Sequence, residues 1–183
     1  MAVRTCVVAV DLRPLADPNY KGRGVGRLSA NIVRSARKYI PDGLDVTVIG
    51  ILDCPATELS GDIRRLPSHI VPNAGDALRL GATAILTLSP MTHDPLFTLR
   101  LVADPSIFAA SVVYDFIPHF EPDRYLPSAS TRYSYLSSLS VLPGYDLYYP
   151  ISRSTGEELV QILDTQESSI QVIGAPINDM IAR

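Results

Sequence analysis

Short apolar runs alternate with amphipathic stretches along this chain. The apolar runs are rich in β-branched residues and predict strands at residues 6–10, 45–51, 83–88, 110–115, 146–152 and 169–174, with a shorter strand at 69–71. Most of these runs are almost continuously apolar, which is typical of a parallel sheet that is covered by helices on both faces.

The amphipathic stretches between the strands predict helices at residues 26–39, 73–80, 130–142 and 157–163. The first helix would bury one stripe of residues, namely Val25, Leu28, Ile32, Ala36 and Tyr39. The last helix follows Ser154 and Glu157, which have the spacing of a capping box.

This alternation of strands and helices predicts an α/β domain of the Rossmann-like, doubly wound type, with a mostly parallel sheet and helices on both faces. With 183 residues, of which 46% are hydrophobic, the chain can bury one full core. We therefore expect a single domain over residues 1–183.

Charge is distributed unevenly. Residues 1–40 contain eight Lys or Arg and two Asp or Glu, a local net charge of +6, so the remainder carries −9 of the overall −3. The overall charge argues against a nucleic-acid partner. The basic segment is consistent with an anion site, with an anionic membrane surface, or with a solvated helix face.

The two cysteines, Cys6 and Cys54, form no CxxC motif, which argues against a disulfide scaffold or a zinc site and favours a reducing cytoplasm. The N-terminal apolar run is too short for a signal peptide, and no stretch approaches the roughly 20 apolar residues that span a bilayer.

The residues that follow the first predicted strand are the first candidate site, because ligands of open α/β sheets bind beyond the carboxyl ends of the strands. Gly22, Gly24 and Gly26 would allow positive φ angles and close approach of the backbone to a ligand. The helix behind them would offer free N–H groups to an anion. The alternative is a turn that packs tightly on the sheet, since GxGxG is not the dinucleotide fingerprint.

Polar residues after two later strands are further candidates. Asp115 could orient a sugar hydroxyl or a neighbouring side chain, or it could cap the next turn. Ser152 and Ser154 could hold an anionic oxygen, although N-capping of the following helix explains them equally well. His93 and Asp94 form either an acid–base pair or a surface turn.

Four segments, taken in order, resemble the N-terminal domain of retaining glycosyltransferases of the GT-B fold, specifically family 4. They are "VDLRPL…GRGVGRLSANIVRSA", "VVYDFIPHFEPDRYL", "YDLYYPISRSTGEEL" and "VIGAPIND". The resemblance covers essentially the whole chain, and the order and spacing of the four motifs make it fairly specific.

The resemblance implies the acceptor-binding half of a bacterial hexosyltransferase. Such an enzyme transfers a sugar from a nucleotide sugar to a glycan or lipid-linked acceptor, with retention of configuration, in polysaccharide biosynthesis. In this family the glycine loop reaches toward the phosphates of the donor. By that analogy Gly22, Gly24 and Gly26 serve ligand approach, and Arg23 and Arg27 contact donor phosphate or acceptor.

The chain departs from the family pattern in two places. The frequent His before Asp115 is Tyr114 here, so a role for an imidazole cannot be transferred; a tyrosine hydroxyl could still bind the transferred sugar, which leaves Tyr114 and Asp115 as the catalytic candidates. The C-terminal, donor-binding domain of the family is absent from these 183 residues, so we expect this chain alone to be inactive.

Family members commonly work without a bound metal, so no cofactor is expected. The implied location is the cytoplasm, with peripheral contact at the inner face of the membrane as one option. A non-catalytic binding or scaffolding domain of the same fold is the main alternative. A flavodoxin-like regulator is less consistent with the sequence, because it would need an acidic cluster where Asp11 stands alone before Arg13.

Overall fold

The computed structural model describes residues 4–36 and 39–174. Its centre is a six-stranded sheet in which every pairing is parallel. The strands are β1 (Arg4–Asp11), β2 (Leu44–Ile51), β3 (His69–Val71), β4 (Ala84–Thr87), β5 (Phe108–Val113) and β6 (Leu147–Pro150). Their spatial order is β3-β2-β1-β4-β5-β6, which confirms the predicted Rossmann-like, doubly wound α/β fold.

The helical segments within these residues are α1 (Arg13–Ala16), α2 (Gly24–Ala36), α3 (Gly61–Arg64), α4 (Ala74–Arg79), α5 (Leu96–Val102), α6 (Ile117–Phe120), α7 (Pro122–Tyr125), α8 (Ala129–Val141) and α9 (Arg153–Leu163). None of these helices has the length and apolar character needed to cross a bilayer.

The core has one layer on each face of the sheet. Alternate residues of β1 point to opposite faces, so that Ala9 joins one buried cluster and Val10 joins the other. The Ala9 side is covered by α4, α5 and α9, and the Val10 side by α1, α2 and α3. Helices therefore pack on both faces, as the continuous apolar runs predicted.

The buried face of α2 differs from the predicted stripe. Its buried residues are Gly26, Leu28, Ser29 and Val33. Ala36 and Tyr39 are exposed, so their predicted burial is wrong. Gly26 is buried against the backbone of Tyr20 and Lys21 in the preceding loop, where a residue without a side chain allows the close contact.

The predicted strand at residues 169–174 is only a single bridge in the structure. Ile170 pairs with Tyr148, and the N–H groups of Gln171 and Ile173 donate to the carbonyls of Tyr148 and Pro150 at 2.9 and 3.1 Å. The pairing does not continue as a strand because Pro150 has no N–H to donate the next hydrogen bond. Residues 175–179 of the last family-like motif lie outside the described residues.

Candidate functional site

A cleft of about 840 Å³ opens beyond the carboxyl ends of β1, β4 and β5. The strand order reverses between β1 and β4, so this is the switch point at which open α/β sheets bind ligands. We call one side the α2 wall, lined by Tyr20, Arg23, Gly24, Val25, Arg27, Leu28 and Asn31. We call the opposite side the tyrosine wall, lined by Asp115, Ile117, Pro118, Tyr125 and Tyr135. Residues 89–92, after β4, lie between the two walls.

The α2 wall is suited to an anion. Arg23 and Arg27 are exposed and stand one helical turn apart on the cleft. The first N–H groups of α2, which begins at Gly24, have no partner within the helix, and the helix dipole places positive charge there. Two guanidinium groups and a helix N-terminus therefore converge on one part of the cleft.

The three glycines of the loop have different environments. A Cβ on Gly26 would lie 2.5 Å from the carbonyl oxygen of Tyr20 and from Cα of Lys21, so Gly26 is required for packing. A Cβ on Gly22 or Gly24 would meet nothing within 4 Å. None of the three has a positive φ angle, so this loop does not use the conformational freedom that glycine allows. Gly24 lines the cleft, whereas Gly22 and Gly26 do not.

Asp11, at the end of β1, is fully committed to a buried ion pair. Arg13 donates to both carboxylate oxygens of Asp11 at 2.9 and 2.8 Å. The side chain of Arg13 is 4% exposed and that of Asp11 is 0% exposed. The guanidinium also donates to the carbonyl of Asp94 at 2.9 Å and lies 4.3 Å from the ring centre of Phe97. The pair ties the loop after β1 to the loop after β4 and leaves no free acid at this strand end.

Tyr114 joins the two sides of the cleft. Its hydroxyl donates to the carbonyl of Val25 at 3.1 Å, so the hydroxyl of Ser29, 3.1 Å away, must donate to Tyr114. The Tyr114 carbonyl accepts from the Thr155 hydroxyl at 3.1 Å. Burial raises the pKa of Tyr114, and the hydrogen bond from Ser29 opposes that rise. The side chain lines the cleft, but its hydroxyl already has two protein partners.

Asp115 is exposed on the cleft next to Tyr114. One carboxylate oxygen accepts from the N–H of Ile117 at 3.1 Å, so Asp115 holds the turn that leads into α6. Within the described part of the chain, the carboxylate makes no other hydrogen bond. Asp115 caps the turn, and its position is also compatible with contact to a ligand, since a capping carboxylate can still accept a hydrogen bond.

The serines after β6 do not line the cleft. The Ser152 hydroxyl accepts from the N–H of Thr155 at 3.1 Å and is the N-cap of α9. The helix begins at Arg153, before Ser154, so the predicted capping box of Ser154 and Glu157 is wrong. Ser154 is an exposed residue of the first helical turn, and only Ile151 of this segment reaches the cleft.

His93 does not pair with Asp94. Its Nδ1 lies 2.8 Å from the hydroxyl of Thr92, and its Nε2 lies 3.3 Å from a carboxylate oxygen of Asp17, without hydrogen-bond alignment. Burial lowers the pKa of His93, and the charge of Arg13 lowers it further. Asp94 instead accepts from the N–H of Leu96 at 3.0 Å and shapes a turn, as the second reading of this dipeptide predicted.

Tyr135, on α8, is one of the cleft residues that the sequence did not single out, as are Tyr20, Asn31 and Tyr125. It is 7% exposed and lines the cleft, but its hydroxyl is buried and lies near the N–H of His119. Burial, with the negative charges of Asp115 and Glu158, raises the pKa of Tyr135 to about 12. Seven tyrosines fall between residues 114 and 149, so composition alone could not distinguish this one.

No group of three or more His, Cys, Asp or Glu residues suited to a metal ion occurs in residues 4–36 and 39–174. Comparison of the sequence with models of protein families gives no match, and comparison with curated proteins gives no significant match.

Proposed function

We propose that this chain is the acceptor-binding half of a bacterial retaining glycosyltransferase that takes a sugar from a nucleotide sugar and adds it to a glycan or lipid-linked acceptor. One observation carries the proposal. A cleft at the switch point of the sheet sets a cationic helix N-terminus against a wall of tyrosines and a carboxylate. The first surface suits a diphosphate, and the second suits a sugar.

In the proposed reaction, the chain acts by positioning and by electrostatic stabilisation. Arg23, Arg27 and the first N–H groups of α2 would stabilise the negative charge that develops on the leaving nucleotide. The tyrosine wall would hold the acceptor so that its hydroxyl lies beside the donor sugar. Asp115 is placed to accept a hydrogen bond from that acceptor, and Tyr114 supports the site through its bonds to α2.

A non-catalytic binding domain of the same fold is favoured by a different observation. Three of the ionisable groups at or next to the cleft are already engaged: Asp11 by Arg13, the Tyr114 hydroxyl by α2, and Asp115 by the turn into α6. The described residues thus supply binding groups more clearly than an acid–base pair. The burial and pairing of Asp11 also argue against a flavodoxin-like regulator with an accessible acidic cluster.

NMR titration of the 183-residue chain with UDP and with pyrophosphate tests the donor side of this proposal. We expect amide shifts within residues 22–27 and no turnover of UDP- or GDP-sugars by the chain alone. If the amides of residues 22–27 do not shift at saturating UDP or pyrophosphate, the proposed contact between this segment and the donor is wrong. Release of nucleotide from a nucleotide sugar by this chain would contradict its assignment as half of an active site.

Peripheral contact with an anionic membrane at the cytoplasmic face is part of the same proposal. It is supported by the exposed cations of α2, although Arg34 on that helix is paired with Asp62 at 2.7 Å. Binding to acidic liposomes should weaken with added salt. Equal binding to neutral and acidic liposomes would contradict the contact.

A further inference from the structure

The imidazole of His93 is held by a hydrogen bond at one of its two ring nitrogens. The Thr92 hydroxyl donates its single proton to the carbonyl of Ser89 at 3.0 Å. The Nδ1 atom of His93 lies 2.8 Å from the same hydroxyl and must therefore donate to it. The neutral ring thus carries its proton on Nδ1, and its Nε2 atom is a buried acceptor without a hydrogen-bond partner in residues 4–36 and 39–174.

This Nε2 atom faces the carboxylate of Asp17. It lies 3.3 Å from one carboxylate oxygen, and the side chain of His93 is 13% exposed while that of Asp17 is 26% exposed. Two acceptors at this distance repel each other. A second proton on Nε2, taken from the solvent, would turn the same contact into a charge-assisted pair. The arrangement therefore has the geometry of an ion pair that lacks one proton.

Four charged side chains act on His93 from the elements around it. Burial lowers the pKa of His93, and the charge of Arg13 lowers it further, while Asp11, Asp17 and Asp53 raise it. Because the pKa lies below the usual value for histidine, His93 is neutral at neutral pH in the free chain. Further negative charge close to this group would raise its pKa and favour the protonated ring.

Asp17 begins the loop that leads to Arg23 and to α2. Its carbonyl accepts from the N–H groups of Tyr20 and Lys21 at 3.0 and 2.9 Å, and the carbonyl of Tyr20 accepts from the N–H of Arg23 at 2.9 Å. The ring of Tyr20 packs on the ring of His93, with 5.3 Å between their centres. Consecutive hydrogen-bonded turns therefore connect the contact between His93 and Asp17 to the anion-binding part of the α2 wall.

We propose that His93 is a positioning residue for the anion site: when its Nε2 atom takes up a proton, the ion pair with Asp17 fixes the loop of residues 17–23 and strengthens phosphate binding by the α2 wall. The inference rests on the proposed function in that the phosphates are those of the donor nucleotide. The coupling is reciprocal, so a bound diphosphate favours protonation of His93, and mild acid favours binding of the diphosphate.

Nitrogen NMR of the imidazole rings tests the geometry in the free 183-residue chain. We expect neutral His93 to carry its proton on Nδ1, and the amides of residues 17–23 to shift when the ring is protonated. Asp17→Asn keeps the side-chain oxygen that accepts from the N–H of Asn19 at 2.8 Å but removes the charge, so the pKa of His93 should fall further. A neutral ring that carries its proton on Nε2 would already donate to Asp17 and would overturn the inference.

Calorimetric titration with pyrophosphate at about pH 8 and about pH 6 tests the coupling. Pyrophosphate itself titrates in this range, so the comparison is with His93→Gln, which keeps a hydrogen-bonding side chain that cannot become charged. Between the two pH values, the affinity of the wild-type chain should rise about fivefold more than that of His93→Gln. Asp17→Asn should behave like His93→Gln, and it retains the test if His93→Gln does not fold.

His69→Gln is the matched control, because His69 is exposed at the start of β3 and should leave the pH dependence of pyrophosphate binding unchanged. In the wild-type chain, NMR should also show a higher pKa of His93 when pyrophosphate is bound. The same pH dependence in the wild-type chain and in both His93→Gln and Asp17→Asn would overturn the inference.

This inference and the proposed donor contact fail on different results. If pyrophosphate shifts the amides of residues 22–27 equally well with and without a titratable side chain at position 93, the role of His93 is wrong and the donor contact stands. If pyrophosphate shifts none of these amides at either pH, the donor contact is wrong, and the role of His93 in anion binding is wrong with it.

Discussion

The two walls of the cleft obtain their chemistry in different ways. The α2 wall offers the backbone N–H groups of a helix start and two exposed cations that are close in sequence. The tyrosine wall is made of side chains from α6, α7 and α8, which tertiary packing brings together. The first wall is a local property of one segment. The second exists only when the whole fold is formed.

The largest effect is expected from a change that breaks the buried ion pair between the loops after β1 and β4. Asp11→Asn would keep the shape of the side chain but leave Arg13 buried without its counter-charge, at a cost of about 3–5 kcal/mol in the free energy of unfolding. Urea denaturation measures this loss. Asp53→Asn, at an exposed position after the neighbouring β2, should change the stability little. Similar small losses in both variants would show that the buried pair does not hold the cleft.

Two glycines in the first turn of α2, Gly24 on the cleft and Gly26 off it, allow packing to be separated from ligand approach. Gly26→Ala places a methyl group 2.5 Å from backbone atoms and should cost about 2–3 kcal/mol. Gly24→Ala meets open space and should change the stability by less than about 0.5 kcal/mol. Denaturation curves of the two variants provide the comparison, and equal losses would contradict the packing role of Gly26.

The charge of the α2 wall is tested by the double variant Arg23→Gln and Arg27→Gln. Both side chains are exposed, so the stability should be retained, while pyrophosphate binding should fall about tenfold and become less sensitive to salt. Calorimetric titration at two salt concentrations measures both effects. Arg100→Gln, at an exposed position on α5, is the control. Unchanged affinity for pyrophosphate in the double variant would show that the anion binds elsewhere on the protein.

The smallest expected effect concerns the link between the walls. Tyr114→Phe removes the bond to the Val25 carbonyl and leaves the Ser29 hydroxyl without its partner, which should cost about 1 kcal/mol. Binding of both pyrophosphate and neutral glycosides should weaken modestly, since the walls lose their tie. A loss of glycoside binding of tenfold or more, with unchanged stability, would instead indicate that the Tyr114 hydroxyl contacts the sugar directly.

The fold was largely predictable because its signals are repeated. Each central strand is buried on both faces, so its sequence is a continuous apolar run that periodicity identifies without knowledge of its neighbours. The strand at residues 169–174 was predicted wrongly because its ladder depends on Pro150, which lies far away in the sequence. The face of α2 was predicted wrongly because Gly26 and Ser29 are buried there, and small or polar residues give no hydrophobic signal.

The sequence predicted those residues of the cleft that directly follow a strand, and it missed those that tertiary packing brings there. Arg23, Gly24, Arg27, Tyr114 and Asp115 all lie on the cleft, because each follows a strand end that the pattern identified. Ser152 and Ser154 were selected by the same rule, but the start of α9 uses Ser152 as a cap and turns Ser154 away from the cleft. Tyr135 lies within a helix, and its position on the cleft depends on how α8 packs, which no local pattern carries.

The hydrogen bond between Tyr114 and Val25 also fixes the distance between the end of β5 and α2. Because the ring of Tyr114 leaves the end of β5 and its hydroxyl bonds to the first turn of α2, the gap between sheet and helix is spanned by one phenol. The width of the cleft is thus encoded in the reach of a single side chain. A shorter side chain at position 114 would have to draw α2 inward or give up the bond. The residue at position 114 therefore helps to set how wide a ligand can enter between α2 and the end of β5.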